Sequence, residues 1–306
     1  MERRGLRRGT GTTTVTRRAA VLVALVVMVC AGVPLGGGGA SSSPILVGRV
    51  RESFQPNQGK IFVAIIGNDA RSGNPDNVRA DALHIAGINT ETMKGGILNF
   101  PRDSWVTIPG RGSGRINEAL QYGGPDLVVQ TLESITGIQI DYWVMVGFED
   151  FLNIIDRLGG VRMHIPVDVY DPTGSGAHID AGTQNLGEEE ALAYVRTRHS
   201  FPNGDIDRTT HQADFLLAML HKLQRQIDFS PTSLFRWTAL TRRFARFDLG
   251  AAEMFRLGVL ASQVDLEKVG NVTVPVSYGA VGSASVVFIS PEAQDIYARF
   301  RDTGSL

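Results

Sequence analysis

IFVAII, Ile61 to Ile66, is the stretch whose reading decides the fold. It is a continuous apolar run rich in β-branched residues, and it is apolar at odd and even positions alike. A strand facing water on one side would alternate, so this one reads as a central strand covered on both faces. GNDARSGNPDN follows, dense in turn formers. ADALHIAGIN (80–89) then reads as a strand, NTETMKG as a tight connection and GILNF (96–100) as the next strand, an antiparallel pairing. PRDSWVTIPG leaves the sheet.

Further along, strand and helix patterns alternate. A helix is predicted from Pro125 to Thr136, with Gly137 as its left-handed cap. DYWVMVGF is a strand, and EDFLNIIDRLGG a short amphipathic helix with Phe151, Leu152, Ile154, Ile155 and Leu158 on its apolar face. VRMHIPV is a strand. GEEEALAYVRTRH is a helix with three acids in its first turn, and DRTTHQADFLLAMLHKLQRQI a long amphipathic one. Two more helical stretches, a short strand near Val272 to Val276 and a last helix from Pro291 complete the pattern. The expected fold is α/β, a mixed central sheet covered by helices on both faces.

Upstream, Ala19 to Leu35 read AAVLVALVVMVCAGVPL without a charge. Six arginines and one acid precede the run, so the first 18 residues carry +5 and the rest of the chain −6. The run is at the short limit for crossing ~30 Å of hydrocarbon, and the arginines place the N-terminus in the cytoplasm. A cleaved signal peptide fits the same features; either way the body is exported. The organisation expected is a basic cytoplasmic tail (1–18), a transmembrane anchor in the cell membrane (19–35), a flexible linker (36–58) and an extracytoplasmic catalytic domain (59–306). An acidic body argues against nucleic-acid binding. A lone cysteine, Cys30, excludes an internal disulfide framework and a cysteine metal site.

Four polar clusters sit at the ends of apolar elements, where sites form in open α/β sheets. They are Asp69 with Arg71; Arg79 with Asp81; Arg102 with Asp103; and the run Arg196, Arg198, His199, Asp205, Arg208, Gln212. Arginine forks onto phosphate oxygens and stays charged at any working pH. Carboxylates beside such phosphates suit Mg2+. Together these residue types point to phosphoryl transfer. Singly each has a blander use, such as an Asx-turn for Asp69 or a solvated ion pair for Arg79 and Asp81. His84 reads as a strand position.

The order of the pieces adds to this. IIGNDAR, VRADAL, LNFPRDSWVTIPG, RINEALQYGG, TGIQIDYWVMVGF, LGGVRMHIP, LGEEEALAYVRTRH and GDIDRTTHQADFL, between Ile61 and Leu223, resemble the LytR-CpsA-Psr family of cell-envelope enzymes. The resemblance implies a motif core at 61–223 and a single-span layout. It implies transfer of a phosphate-linked glycopolymer from a polyprenyl-pyrophosphate carrier to peptidoglycan or a related acceptor. By similarity, Asp69 and Asp81 hold Mg2+. Arg79, Arg102, Arg196, Arg198, Arg208 and Gln212 surround the pyrophosphate, and Asp205 or Asp103 orients the attacking hydroxyl. The polyprenyl tail is expected in an apolar tunnel that Phe148, Phe151, Ile155 and Leu216 could line, although each one reads better as ordinary core. Ala82 stands where the family often has threonine, Arg115 where lysine is common and Asn99 where serine is common; residues 227–306 match the family's pattern poorly. Two other activities fit the same residues: a pyrophosphatase or phosphodiesterase using water as acceptor, and a non-catalytic lipid-binding regulator.

Overall fold

The computed structural model describes residues 45–49, 59–68, 78–229, 245–247, 259–260 and 263–306. The expected basic tail and membrane anchor lie outside the described residues, as does the stretch 230–244. No described helix is long and apolar enough to cross a membrane.

IFVAII lies inside β2 (Lys60–Asn68), near the middle of a seven-stranded sheet. The sheet also contains β1 (Ile45–Arg49), β3 (Ala80–Asn89), β4 (Gly95–Asn99), β7 (Tyr142–Val146), β12 (Ala245–Phe247) and β13 (Val269–Thr273), in the order β12-β1-β7-β2-β3-β4-β13. It is mixed. β2 runs antiparallel to β3 and parallel to β7, β3 antiparallel to β4, and β13 parallel to β4. β1 corrects an expectation, because it falls within the stretch read as a flexible linker. Its backbone pairs with both β7 and β12, so the ladder bonds of two neighbours order a segment whose glycine- and serine-rich surroundings mask it in the sequence.

The alternation within β2 divides the interior in two. Phe62, Ala64 and Ile66 face one core with Leu83, Ile85 and Leu98; Ile61, Val63 and Ile65 face the other with Ala86 and Ile88. The first core is closed by α1 (Glu118–Thr136) and α5 (Ala293–Thr303). The second is closed by α2 (Phe148–Leu158), α3 (Glu188–Arg196) and α4 (Asp205–Phe229). Helices therefore cover both faces, which is why the central strand reads as continuous hydrocarbon.

α1 begins earlier than predicted. Gly123 and Gly124 are non-helical, the latter at φ 67°, and Pro125 restarts the helix just beyond them. A kink at a glycine pair resembles a helix start in sequence. Gly137 caps it as predicted, at φ 65° with its N–H donated to Glu133 O. Val276 belongs to a separate hairpin, β14 (Val276–Val281) with β15 (Ala284–Ile289), and β13 ends three residues before it. Another hairpin, β5 (Trp105–Ile108) with β6 (Gly112–Arg115), follows β4.

Candidate active site

The carboxyl ends of β2, β4 and β7 and the start of β3 meet at one edge of the sheet, because β3 is antiparallel to its neighbours while β7 is parallel to β2. A bulge between Gly67 and Asn68 breaks the β2–β3 register there. Bulges of this kind commonly re-aim side chains beside sites. Gly67 pairs with Ala82 and Asn68 with Ala80, so Asp81 is the residue that the ladder skips.

Arg102, just beyond β4, joins the pieces. Its guanidinium pairs with Asp81, and its Nε lies 3.6 Å from Asp205 and 4.0 Å from Asp103. Asp205 opens α4 and also pairs with Arg208 one turn later. Asp103 reaches Arg115 at 3.6 Å. Burial pushes the Asp205 carboxyl up, and the nearby Asp103 and Asp81 add to that, although Arg208 and Arg102 partly offset it. Burial lowers the Arg208 guanidinium. For Arg102 burial also acts downward, but Asp81 and Asp205 outweigh it and the guanidinium is held more firmly protonated.

This cluster forms one wall of a cavity of about 290 Å3. Asp81, Arg102, Arg196, Arg198, Arg208 and Gln212 line its polar part. Phe148 and Phe151 of α2, Phe215, Leu216 and Met219 of α4, and Ile65 of β2 line the remainder. Phe148, Phe151, Ile155 and Leu216, read from the sequence as core in preference to tunnel, all line this space, and Ile155 is fully buried in the core as well. Arg196 marks the seam between the two parts, its Cζ 5.0 Å from the centre of the Phe148 ring, a cation–π distance. Arg208 Nε and Gln212 Oε1 are buried without a hydrogen-bond partner among the described residues. Buried polar atoms are rarely left unmatched, and unmatched ones facing a cavity favour a polar ligand group there. Arg79 stands exposed at the start of β3, two residues from Asp81 and outside the lining. Asp69 and Arg71 lie outside the described residues.

His84 is the strand position its sequence pattern indicates, and its side chain also lines the floor of the cavity. His84 Nδ1 is 2.8 Å from Asn99 Oδ1, Asn99 Nδ2 donates to Asn271 Oδ1 at 2.6 Å, and Asn271 Nδ2 donates to Asp214 Oδ1 at 2.7 Å. Thr210 and Thr273 hydroxyls meet at 2.8 Å beside this row. The result is a polar seam across β3, β4 and β13, beneath α4. Burial pushes the His84 imidazole down to about 4, against the pull of Asn99. The directions of the bonds follow from the carboxylate end, which leaves Asn99 Oδ1 to accept and His84 Nδ1 to donate.

A mixed α/β sheet whose edge carries a guanidinium cluster opening onto an oily chamber defines a class of protein suited to molecules with an anionic head and an apolar tail. The chain belongs to the LytR_cpsA_psr family, whose model matches residues 40–300. The match reaches well past residue 223, so the C-terminal part is closer to the family than its sequence alone suggests. The polyisoprenyl-teichoic acid–peptidoglycan teichoic acid transferase TagT of Bacillus subtilis is 35% identical over 184 residues, 58% of this chain and 56% of TagT. The probable cell wall biosynthesis protein LcpB of Corynebacterium glutamicum is 38% identical over 154 residues, 50% of this chain and 35% of LcpB. The matched part of this chain thus spans about half or less of these curated relatives. A solved structure of TagT bound to LI-WTA shares the fold with a TM-score of 0.66 at 25% identity, covering 83% of this chain and 94% of that one.

Proposed function

We propose that this protein transfers a phosphate-linked glycopolymer from a polyprenyl-pyrophosphate carrier to peptidoglycan or a related cell-wall acceptor, forming a phosphodiester. One observation carries the reading: the arginine cluster and the apolar chamber are two ends of a single cavity, matching the two ends of a lipid pyrophosphate. The names of TagT and LcpB and the ligand of the TagT structure support it.

Arg102, Arg196, Arg198 and Arg208, with Gln212, bind the pyrophosphate oxygens, and Arg79, exposed just before β3, is assigned to the same group by family resemblance. The polyprenyl chain lies among Phe148, Phe151, Ile155 and Leu216. In phosphoryl transfer most of the rate comes from positioning and neutralising charge, which fixed guanidinium groups supply without reorganising. Asp205 and Asp103 hold those groups in place. The acceptor hydroxyl attacks the glycan-side phosphorus as polyprenyl phosphate departs.

Mg2+ is the cation proposed for this site. Asp81, which also pairs with Arg102, is a carboxylate at the cavity wall, and Mg2+ takes one or two carboxylates plus substrate oxygens. Asp69 and Asp81 would hold it, and when bound it supplies further neutralisation of pyrophosphate charge. In this reading the protein is anchored in the cell membrane by residues 19–35, with the catalytic domain outside the cell.

The test is Arg102→Ala with labelled lipid-linked glycan and peptidoglycan. Transfer of label to peptidoglycan should fall by about 10²–10³-fold per molecule shown to be folded by circular dichroism, with a lowered melting temperature because Asp81 and Asp205 lose their counter-charge. Soluble label from the unaltered protein would instead indicate a pyrophosphatase or phosphodiesterase. Bound lipid with no product at all would indicate a lipid-binding regulator.

A further inference from the structure

Asp171 is charged by nature yet only 2% exposed, and it belongs to no part of the cluster above. It closes β9 (Val169–Asp171). Its carboxylate accepts from Gly174 N at 3.0 Å and, more distantly, from the backbone N–H groups of Arg198 and His199 at 3.3 and 3.4 Å. It also lies 3.0 Å from His199 Nδ1. Burial pushes this carboxyl up, but the bonds from His199 and the two backbone N–H groups outweigh burial and hold it below the usual carboxylate range. An ionised acceptor fixes Nδ1 as the protonated nitrogen, so the lone pair of a neutral His199 is on Nε2. Nδ1 and Nε2 lie on opposite edges of the ring, and the side chain is 56% exposed. Nε2 is thus directed away from the buried carboxylate.

The pair lies next to residues of the cavity lining. Arg198, the preceding residue, lines the cavity, and so does Gly174. A Cβ on Gly174 would lie 2.5 Å from both Asp171 Oδ1 and His199 Nδ1, so the glycine allows the loop to close over the pair.

We propose that His199 is the general base of the transfer reaction and Asp171 the positioning residue that sets its tautomer and ring direction. The inference rests on the function proposed above. The acceptor is a polymer arriving from solvent, so its hydroxyl first meets exposed groups such as His199. The other candidates fit this duty less well. Asp81 and Asp205 are committed to Arg102 and Arg208, and Asp103 lies against Arg115 and Arg102. His84 is 1% exposed on the floor, and His211 is packed against Tyr194 and Phe201 at ring separations of 5.2 and 4.1 Å. In the step, the acceptor oxygen forms a bond to the glycan-side phosphorus, and its proton passes to His199 Nε2 and then to solvent. The bond from that phosphorus to the bridging oxygen breaks, and its electron pair leaves on polyprenyl phosphate.

The experiment measures single-turnover transfer from a synthetic polyprenyl-pyrophosphate-linked saccharide to a soluble peptidoglycan fragment, using the full chain. His199→Ala should lower the rate by about 10²-fold or more, leave donor affinity within about twofold, and recover part of the rate when imidazole is added. Asp171→Asn should lower the rate less, with no response to imidazole. Gly174→Ala, which alters no ionisable group, should also slow transfer by forcing the pair apart. His199→Ala at the unaltered rate, or slowed but indifferent to imidazole, overturns the assignment while leaving the proposed function standing. No transfer by the unaltered protein overturns the function, and this inference with it.

Discussion

The two faces of the central sheet are built from alternate residues of the same strands, yet they end in opposite ways. On the Phe62 face the described side chains pack closely. Phe62 and Phe300 meet edge to face at 5.3 Å, and the Phe300 ring takes the space that a side chain at Gly87 would fill, 2.6 Å from a Cβ there. On the Ile61 face α2 and α4 stand apart around a cavity, and a polar seam crosses the strands. The closed face supplies rigidity, and the open face can therefore hold a void and buried polar groups that would weaken a protein resting on it alone.

The strongest test of this division is Phe300→Ala. It removes a fully buried ring from the closed face and should cost about 3–5 kcal/mol in denaturant unfolding, while transfer per folded molecule stays unchanged. A comparable loss of activity would mean that the two faces are not separable.

The next test concerns the seam. The folded protein keeps His84 neutral down to about pH 4, whereas the unfolded chain takes up a proton near 6.5. Stability from this group is present above 6.5 and is lost as pH falls toward 4, by about 3 kcal/mol. Burial pushes Asp214 up, which works in the opposite direction over the same acidic range. Comparing urea midpoints of the unaltered protein and His84→Gln across this range isolates the histidine, and the variant should show the flatter profile. Equal slopes would remove the histidine from the account of the open face.

The smallest effect is expected from Leu216→Ala. This half-buried side chain faces the cavity, so its truncation extends an existing space and should cost only about 1 kcal/mol. Its mark should fall on the apparent affinity for long-chain lipid donors and spare short-chain ones. A loss as large as that of Phe300→Ala would show the open face to be as tightly packed as the closed one.

How much of this was readable in the chain depended on distance along it. β2, β3 and β4 announced themselves by hydrocarbon patterning, and Gly137 by its place after a periodic run. Arg208 and Asp205 are one helical turn apart, so their pairing lay within local reach. Arg102 could be noticed at a strand end, but its contacts with Asp81 and Asp205 depend on how the sheet edge closes. Asp171 and His199 were not connected, because 28 residues separate them and neither stands in an apolar frame. β6 reads GSGR, in which two glycines suggest a turn; only pairing with β5 makes it a strand. β1 was lost for a related reason, since five residues in a linker-like setting carry too little pattern to show their partners.

The row of amides and hydroxyls beneath α4 acts as a keyway. Leucines alone would let a helix settle at several neighbouring offsets for little difference in energy, as grease lets a shaft slide. Donor-to-acceptor matches at Asp214, Asn271 and Asn99, and the hydroxyl contact at Thr210, favour one offset and penalise the adjacent ones by leaving buried polar atoms unmatched. Arg208 and Gln212 ride on the same helix, so a lock set deep in the interior also fixes where their side chains arrive at the cavity wall.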